Sequence, residues 1–545
     1  MKKKLLILFF IFLNISLFAT REQALYRFDD MEYQEVVILC SKARIAPPLV
    51  SPITAIELSQ KLDMITEASL KKEVLLLQQR LLNKNVIYED DIVSADGDLS
   101  FSVAGYAFDG SILESEFFIP YRDRLPLVSL YAETSIVDNA YLYFEFMIKE
   151  PKSDDDKIRG NVYTNTYPFV SFDGKVKFLD SNYMSQAFTP FLVGGSFGNY
   201  FFNFQIGRNR LAYGLGKTGN LTIADNFSMQ EYLMYSFHTN HFKYSLNLTH
   251  FDQQSGSMKF NTFSLSGKHQ VRVMHRAEVT FFPCVTVALN NGAIFQTDSA
   301  LDWRFFVPGM MVHSYNNFLG IEPLMPGDEA NNIFSIDFSW AFAKNYLLHG
   351  QIVLDQFQLY YEDQDALPNA LGVLFNIQNT STIGKGVLSS YFETAYTMPN
   401  LYLNKKRNSD NSLNYNYDHI LGYGMSQNSQ EINYSGYKFG PDSLVLGLGS
   451  KYNFKNHSIF GNIIYRLHGI HGIKYYEGQI DVIDANAKGV FEHSLLTTIG
   501  VDYDYSDILK VSLLCSNNFY WNYHNEKEKY YYIPGCSVAV KYTVF

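Results

Sequence analysis

The sequence predicts a mainly β chain, a transmembrane antiparallel β-barrel of about 16–18 strands with a small N-terminal helical bundle. Three observations predict it. From about residue 98 onward apolar side chains recur at every second position, the period of a strand with one face in hydrocarbon. The 545 residues are 47% hydrophobic and 16% aromatic, with 44 Phe and 40 Tyr against 3 Trp. Such an excess suits strands and side chains at a membrane interface. Yet the mean hydropathy is only −0.11, and past the N-terminus no run of about 20 apolar residues could form a membrane-crossing helix.

Residues 1–19 read as a signal peptide. Lys2, Lys3 and Lys4 are basic, Leu5 to Phe18 is apolar, and Ala19 offers a small residue at the cut. No Cys stands near the cut, so a lipid anchor is not expected. Residues 20–92 read as a periplasmic helical bundle. Met31–Arg44 groups Val36, Val37, Leu39 and Cys40 ahead of Pro47 and Pro48. A second helix is expected to start at Ser51-Pro52, with Ile56, Leu58, Leu62 and Ile65 at helical spacing. The third, Glu67–Asn83, carries Leu70, Val74, Leu75, Leu77, Leu81 and Leu82. So small a bundle has a thin core and is expected to dock on something larger.

Residues 98–545 read as the barrel. Leu142, Phe144, Phe146 and Ile148 share one face of a strand, as do Tyr244, Leu246 and Leu248. Ala277, Val279 and Phe281 lie opposite Arg276, Glu278 and Thr280. Ile463, Tyr465 and Leu467 oppose Asn462, Arg466 and His468. Connections alternate in length: a tight turn at Ser506-Asp507, a polar loop Asn522–Lys529, then a last strand Tyr530–Phe545. In that strand Val538, Val540, Tyr542 and Val544 share a face, while Phe545 falls in the other register, as a frayed end or a bulge would place it. Long polar segments interrupt the strands at about 151–160, 296–330, 401–442 and 473–488.

A formal net charge of −11 argues against nucleic-acid binding, and 4 Cys do not make a disulfide scaffold. Cys515 and Cys536 flank the last loop symmetrically. They are either cross-strand neighbours or two small lipid-facing residues. His468 and His471 would project to opposite faces of a strand, so no metal site is expected. There is no nucleophile elbow, phosphate loop or zinc signature. Neither catalysis nor a cofactor is expected. Gly207 to Gly219 superficially resembles a nucleotide loop, but no helix follows. Its glycines are expected to shape a turn at the barrel rim, with 220–226 packed inside.

The run Gly207-Arg208, Tyr213-Gly-Leu-Gly216 and Gly219-Asn-Leu-Thr-Ile-Ala-Asp-Asn226 resembles the core of Wzi-type capsule-assembly proteins. So do Asn331–Asp337, Gly350–Asp355 and Gly436–Ser443, in the same order. The family's Trp-Gly-Pro-Gly is replaced here by Tyr213-Gly-Leu-Gly216, and its glycine–histidine element by Phe439-Gly440-Pro441. The resemblance implies an outer-membrane barrel of about 18 strands, plugged or flanked by a periplasmic helical bundle, with a lectin-like role in holding surface polysaccharide. Its partners would be outer-membrane lipid, surface polysaccharide and the barrel-insertion machinery. Proteins meet sugars with aromatic platforms beside Asp, Asn and Arg. Asp302-Trp303-Arg304, Tyr360-Tyr361 and Trp521 have that make-up, although Tyr and Trp at strand ends also serve as interface girdles. The alternative is a porin-like channel for small solutes, lined by Lys243, Arg276, Glu278 and Arg466.

Overall fold

Period-two segments pair into a closed cylinder in the computed structural model. It describes residues 21–82, 88–89, 92–108, 117–148, 163–166, 192–227, 229–251, 269–297, 303–309, 330–356, 370–402, 404–407, 413–416, 421–426, 429–471, 473–474, 479–480, 489–506 and 508–544. The signal segment and Phe545 lie outside the described residues.

Eighteen antiparallel strands close the barrel. They are β1 Val93–Phe108, β2 Val128–Ile136, β3 Ala140–Ile148, β4 Leu192–Gly198, β5 Phe202–Asn209 and β6 Gln230–His238. There follow β7 Phe242–Phe251, β8 His269–Phe282, β9 Val285–Thr297, β10 Ala330–Ala343, β11 Tyr346–Gln356 and β12 Ala370–Ile383. The last are β13 Gly386–Thr397, β14 Ser443–Phe454, β15 His457–His468, β16 Glu492–Asp504, β17 Leu509–Trp521 and β18 Tyr530–Thr543. Each pairs with its sequence neighbour. β18 then returns to β1, from Gly535 opposite Phe108 to Thr543 opposite Ser100. Closure leaves no open edge, so the ladder satisfies the backbone where no water could.

Side-chain alternation sets the two surfaces. Phe101, Phe144, Ile206, Phe375, Leu448, Ile463, Ile499 and Leu513 are exposed on the outer face, while Ser102, Gln205, Arg276, Asp337, Asn376, Glu393 and Ser537 are buried on the inner one. In β18, Val538 and Tyr542 point out and Ser537 and Ala539 point in. Cys515 stands opposite Cys536 on the outer face with sulfurs 3.7 Å apart and no bond between them.

The hairpins alternate. Turns after even-numbered strands take two to four residues, whereas connections after odd-numbered strands run from eight residues (522–529) to 45 (398–442). Helices α1 Met31–Ala43, α2 Ala55–Asp63 and α3 Lys71–Leu82 gather at the tight-turn end. There the Ala46 amide donates to Pro283 O and the Asn345 amide to Ser41 O. The first helix starts at Met31 as expected, and the second and third start later than their apolar periodicity alone implies. Val50–Ser51 and Ile53–Thr54 form short strand pairs, and Thr54 caps α2, its hydroxyl accepting from the Glu57 amide. The third helix begins at Lys71 instead of Glu67.

Candidate functional site: a lumen filled from both ends

The connection between β5 and β6, residues 210–229, does not stay at the rim. It folds into the barrel, and three wall side chains hold its backbone. His349 accepts from the Leu215 amide through Nε2 (3.0 Å) and contacts Phe338 O through Nδ1 (3.0 Å), a pattern that fits the neutral Nδ1–H tautomer. Gln351 accepts from the Leu221 amide (2.7 Å) and donates to Tyr213 O (2.8 Å). Glu393 accepts from the amides of Lys217 (2.7 Å) and Thr218 (2.6 Å) and from Asn376 Nδ2 (2.7 Å). Inside the strap, Gly214 has φ +109°, and an added Cβ would lie 2.5 Å from Asn220 Oδ1 and Gln351 Nε2. No larger residue fits this turn.

Other connections close over the strap. Tyr402 Oη donates to Leu221 O (2.6 Å), Asn226 Nδ2 donates to Gly436 O (2.8 Å), and Thr218 Oγ1 lies 2.8 Å from Tyr437 Oη. Leu221, Tyr402, Tyr437 and Phe439 pack with inward Ile294, Val353, Leu374 and Val445 into one apolar cluster. Among the described residues, the part of the lumen around this cluster is packed with apolar side chains.

From the tight-turn end the helical segment enters the barrel. Its core of Tyr33, Val36, Leu58, Leu77 and Leu81 continues into Tyr141, Tyr143, Leu192, Ala341 and Leu347 of the wall and Leu215 of the strap. Ion pairs fix it: Arg21 with Glu133, Asp29 with Arg210, and Glu57 with Lys243. Burial raises the Glu57 carboxyl, but Lys243, His238 and the Thr54 hydroxyl together hold it below the usual range. Val50–Ser51 even pairs with Ala212–Tyr213, so bundle and strap share a two-stranded ladder.

Among the residues singled out from sequence, Lys243, Arg276, Glu278 and Arg466 face inward, but each is held. Lys243 pairs with Glu57. Arg276 bonds Glu278 (3.0 Å), Asn290 Oδ1 (2.8 Å) and Asp337. Arg466 pairs with Glu492 and lies over the rings of Phe117 (5.5 Å) and Phe439 (5.9 Å). The aromatic candidates are not brought together. Asp302, Tyr360 and Tyr361 lie outside the described residues. Trp303 and Arg304 belong to a short 3-10 turn, Trp303–Phe306, laid against the outside of the barrel. There Phe305 packs on Leu246, Leu248, Val271 and Val273, and Tyr235 Oη donates to Phe306 O (2.7 Å). Trp521 stands at the end of β17 beside Phe519, 37% exposed on the outer face, a distant arc of the wall. Sequence reasoning missed His349, Glu393 and Asn376 as lumen anchors. Gln351 and Asp337 did lie within the runs that carried the resemblance. Those runs, 207–226, 331–337, 350–355 and 436–443, are far apart in sequence and meet in the lumen.

No family model matches the chain, and no curated protein sequence does. Among solved structures the chain is similar to Wzi of Escherichia coli, described as an outer membrane protein involved in group 1 capsule assembly and a carbohydrate-binding β-barrel. The TM-score is 0.55 at 12% identity, over 96% of this chain and 99% of that one. OpdQ of Pseudomonas aeruginosa matches at TM-score 0.39 and 8% identity, over 83% of this chain and 98% of that one. The fold is therefore that of the outer-membrane β-barrels, and within that class it has the overall shape seen in Wzi.

Proposed function

We propose that this chain resides in the bacterial outer membrane and holds surface polysaccharide without catalysis. The observation that carries the proposal is the double obstruction of the lumen. Strap 210–229 is bonded to the wall at His349, Gln351 and Glu393, and the helical bundle is seated behind it. A barrel filled in this way serves as a rigid platform whose long connections all leave from the strand ends opposite the helices. The likeness in fold to a carbohydrate-binding barrel supports the same reading. The aromatic outer face would meet outer-membrane lipid, and the barrel-insertion machinery would place it there. Sugar contacts are assigned to the loop end, with Asp302, Trp303, Arg304, Tyr360, Tyr361 and Trp521 as candidate contributors.

Polysaccharide pull-down with the detergent-purified protein is the direct test, paired with conductance in planar bilayers. Retention of an envelope polysaccharide by a silent barrel is expected. Steady open-channel steps with no retained glycan would overturn the proposal in favour of a porin-like channel.

A further inference from the structure

Four of the buried guanidinium groups described in this barrel face carboxylates. Arg21 has Glu133, Arg210 has Asp29, Arg276 has Asp337 and Arg466 has Glu492. Arg272 is different. It sits on β8, on the same inward face as Arg276, and is 0% exposed. Its Nη2 donates to Thr249 Oγ1 (2.9 Å), and its guanidinium carbon lies 5.4 Å from the centroid of the Phe251 ring. Among the described residues its Nε and Nη1 have no acceptor and no carboxylate pairs with it. A buried charge without a counter-charge is strongly unfavourable. One neutral hydroxyl and one ring face do not offset that.

The neighbouring groups define what is missing. Thr249 Oγ1, which accepts from Arg272, donates to Asn247 Oδ1 (2.8 Å). Asn247 Nδ2, on the donor side of the same amide, has no partner. One row further out Gln230, 2% exposed at the start of β6, has an unpartnered amide nitrogen and oxygen. The unmet groups of Arg272 and Asn247 are all donors. Their missing partner is therefore rich in acceptors and negatively charged, which a water or a sugar hydroxyl is not. The position also matters. Arg272 lies three residues inside β8 from its long-loop end, and Thr249 two residues inside the matching end of β7.

We infer that Arg272, with Asn247 beside it, binds an anionic group in the outer half of the lumen, and that this group is the acid function of a charged saccharide. The second half of this inference rests on the polysaccharide reading above.

The test measures binding and thermal stabilisation of the full detergent-purified protein with three probes: oligogalacturonate, monomeric galacturonate and neutral galactose. It compares wild type with Arg272→Gln and with Arg272→Lys, which keeps the charge if the neutral variant fails to fold. Heat-modified gel migration checks barrel closure. Oligogalacturonate is expected to bind wild type at least about tenfold more tightly than Arg272→Gln, the scale of one lost charge-assisted hydrogen bond. Galactose should not discriminate between them. Arg272-dependent stabilisation by the monomer without oligomer binding keeps the anion site and removes the polysaccharide reading. Oligomer binding equal in wild type and both variants overturns the Arg272 site and leaves the polysaccharide reading standing. Stabilisation by none of the acidic probes overturns the site.

Discussion

Glu57 shows what single residues do in this molecule. It is 6% exposed and its partner Lys243 has a side chain 12% exposed, so the pair joins helix α2 to the barrel wall with little water. Glu57→Gln leaves the ammonium group buried and unmatched, and is expected to cost about 3 kcal/mol, read as a lower melting temperature of the helical signal. The sign of its pH dependence follows from the lowered carboxyl. Its stabilising contribution is complete above the unfolded pKa of about 4.3 and disappears as pH falls through the depressed folded value. The stability difference between wild type and Glu57→Gln should therefore be flat near neutrality and shrink in acid. A difference that grows in acid would contradict the pairing. Cys40, wholly buried in α1, has its thiol pushed up to about 12 by burial. Alkylation with iodoacetamide should spare it in the folded protein and modify it fully in denaturant, as peptide mass spectrometry would show.

At the scale of elements the strap and the bundle have separable roles. Strap 210–229 leaves β5 at Asn209 and rejoins the wall at Gln230, so a short Gly-Ser linker in its place removes no ladder pairing of the barrel. That variant should still close, yet replace the silent behaviour proposed for the parent with open-channel steps in planar bilayers. A variant as silent as the parent would mean that the bundle alone seals the lumen. The strap's position was only partly legible. Its glycines announced a turn, and residues 220–226 were expected inside, but the rim was the expected site of the turn itself. The anchors that draw it inward sit on two later strands, His349 and Gln351 on β11 and Glu393 on β13. No local pattern marks an inward polar residue as one that binds a backbone 130 or more residues away.

For the whole molecule, closure is the dominant fact. β18 meets β1 along Gly535–Thr543 and Ser100–Phe108, so no strand can peel off without breaking two ladders. Unheated protein in mild detergent should therefore migrate faster on a gel than boiled protein, with no intermediate band. Equal migration before and after boiling would contradict a closed barrel.

Local chemistry determined much of this from the sequence. Period-two alternation placed Phe281 outside and Arg276 inside because adjacent side chains of a strand must point to opposite faces. Helical spacing found three short helices too thin in core to stand alone. Turn length separated tight hairpins from long connections. What the tertiary structure alone decided is the content of the lumen: that the bundle enters it, that the strap crosses it, that Lys243 and Arg466 are tied to Glu57 and Glu492, and that Arg272 is left without a carboxylate. Trp303 and Arg304 likewise read as one motif with their neighbours in sequence, and only folding laid the turn that holds them, through Phe305, against the barrel's outer wall. The reason is physical. Alternation depends on each residue's neighbours along the chain, whereas the partners of a buried charge or a folded-in loop come from strands that meet only when the cylinder closes.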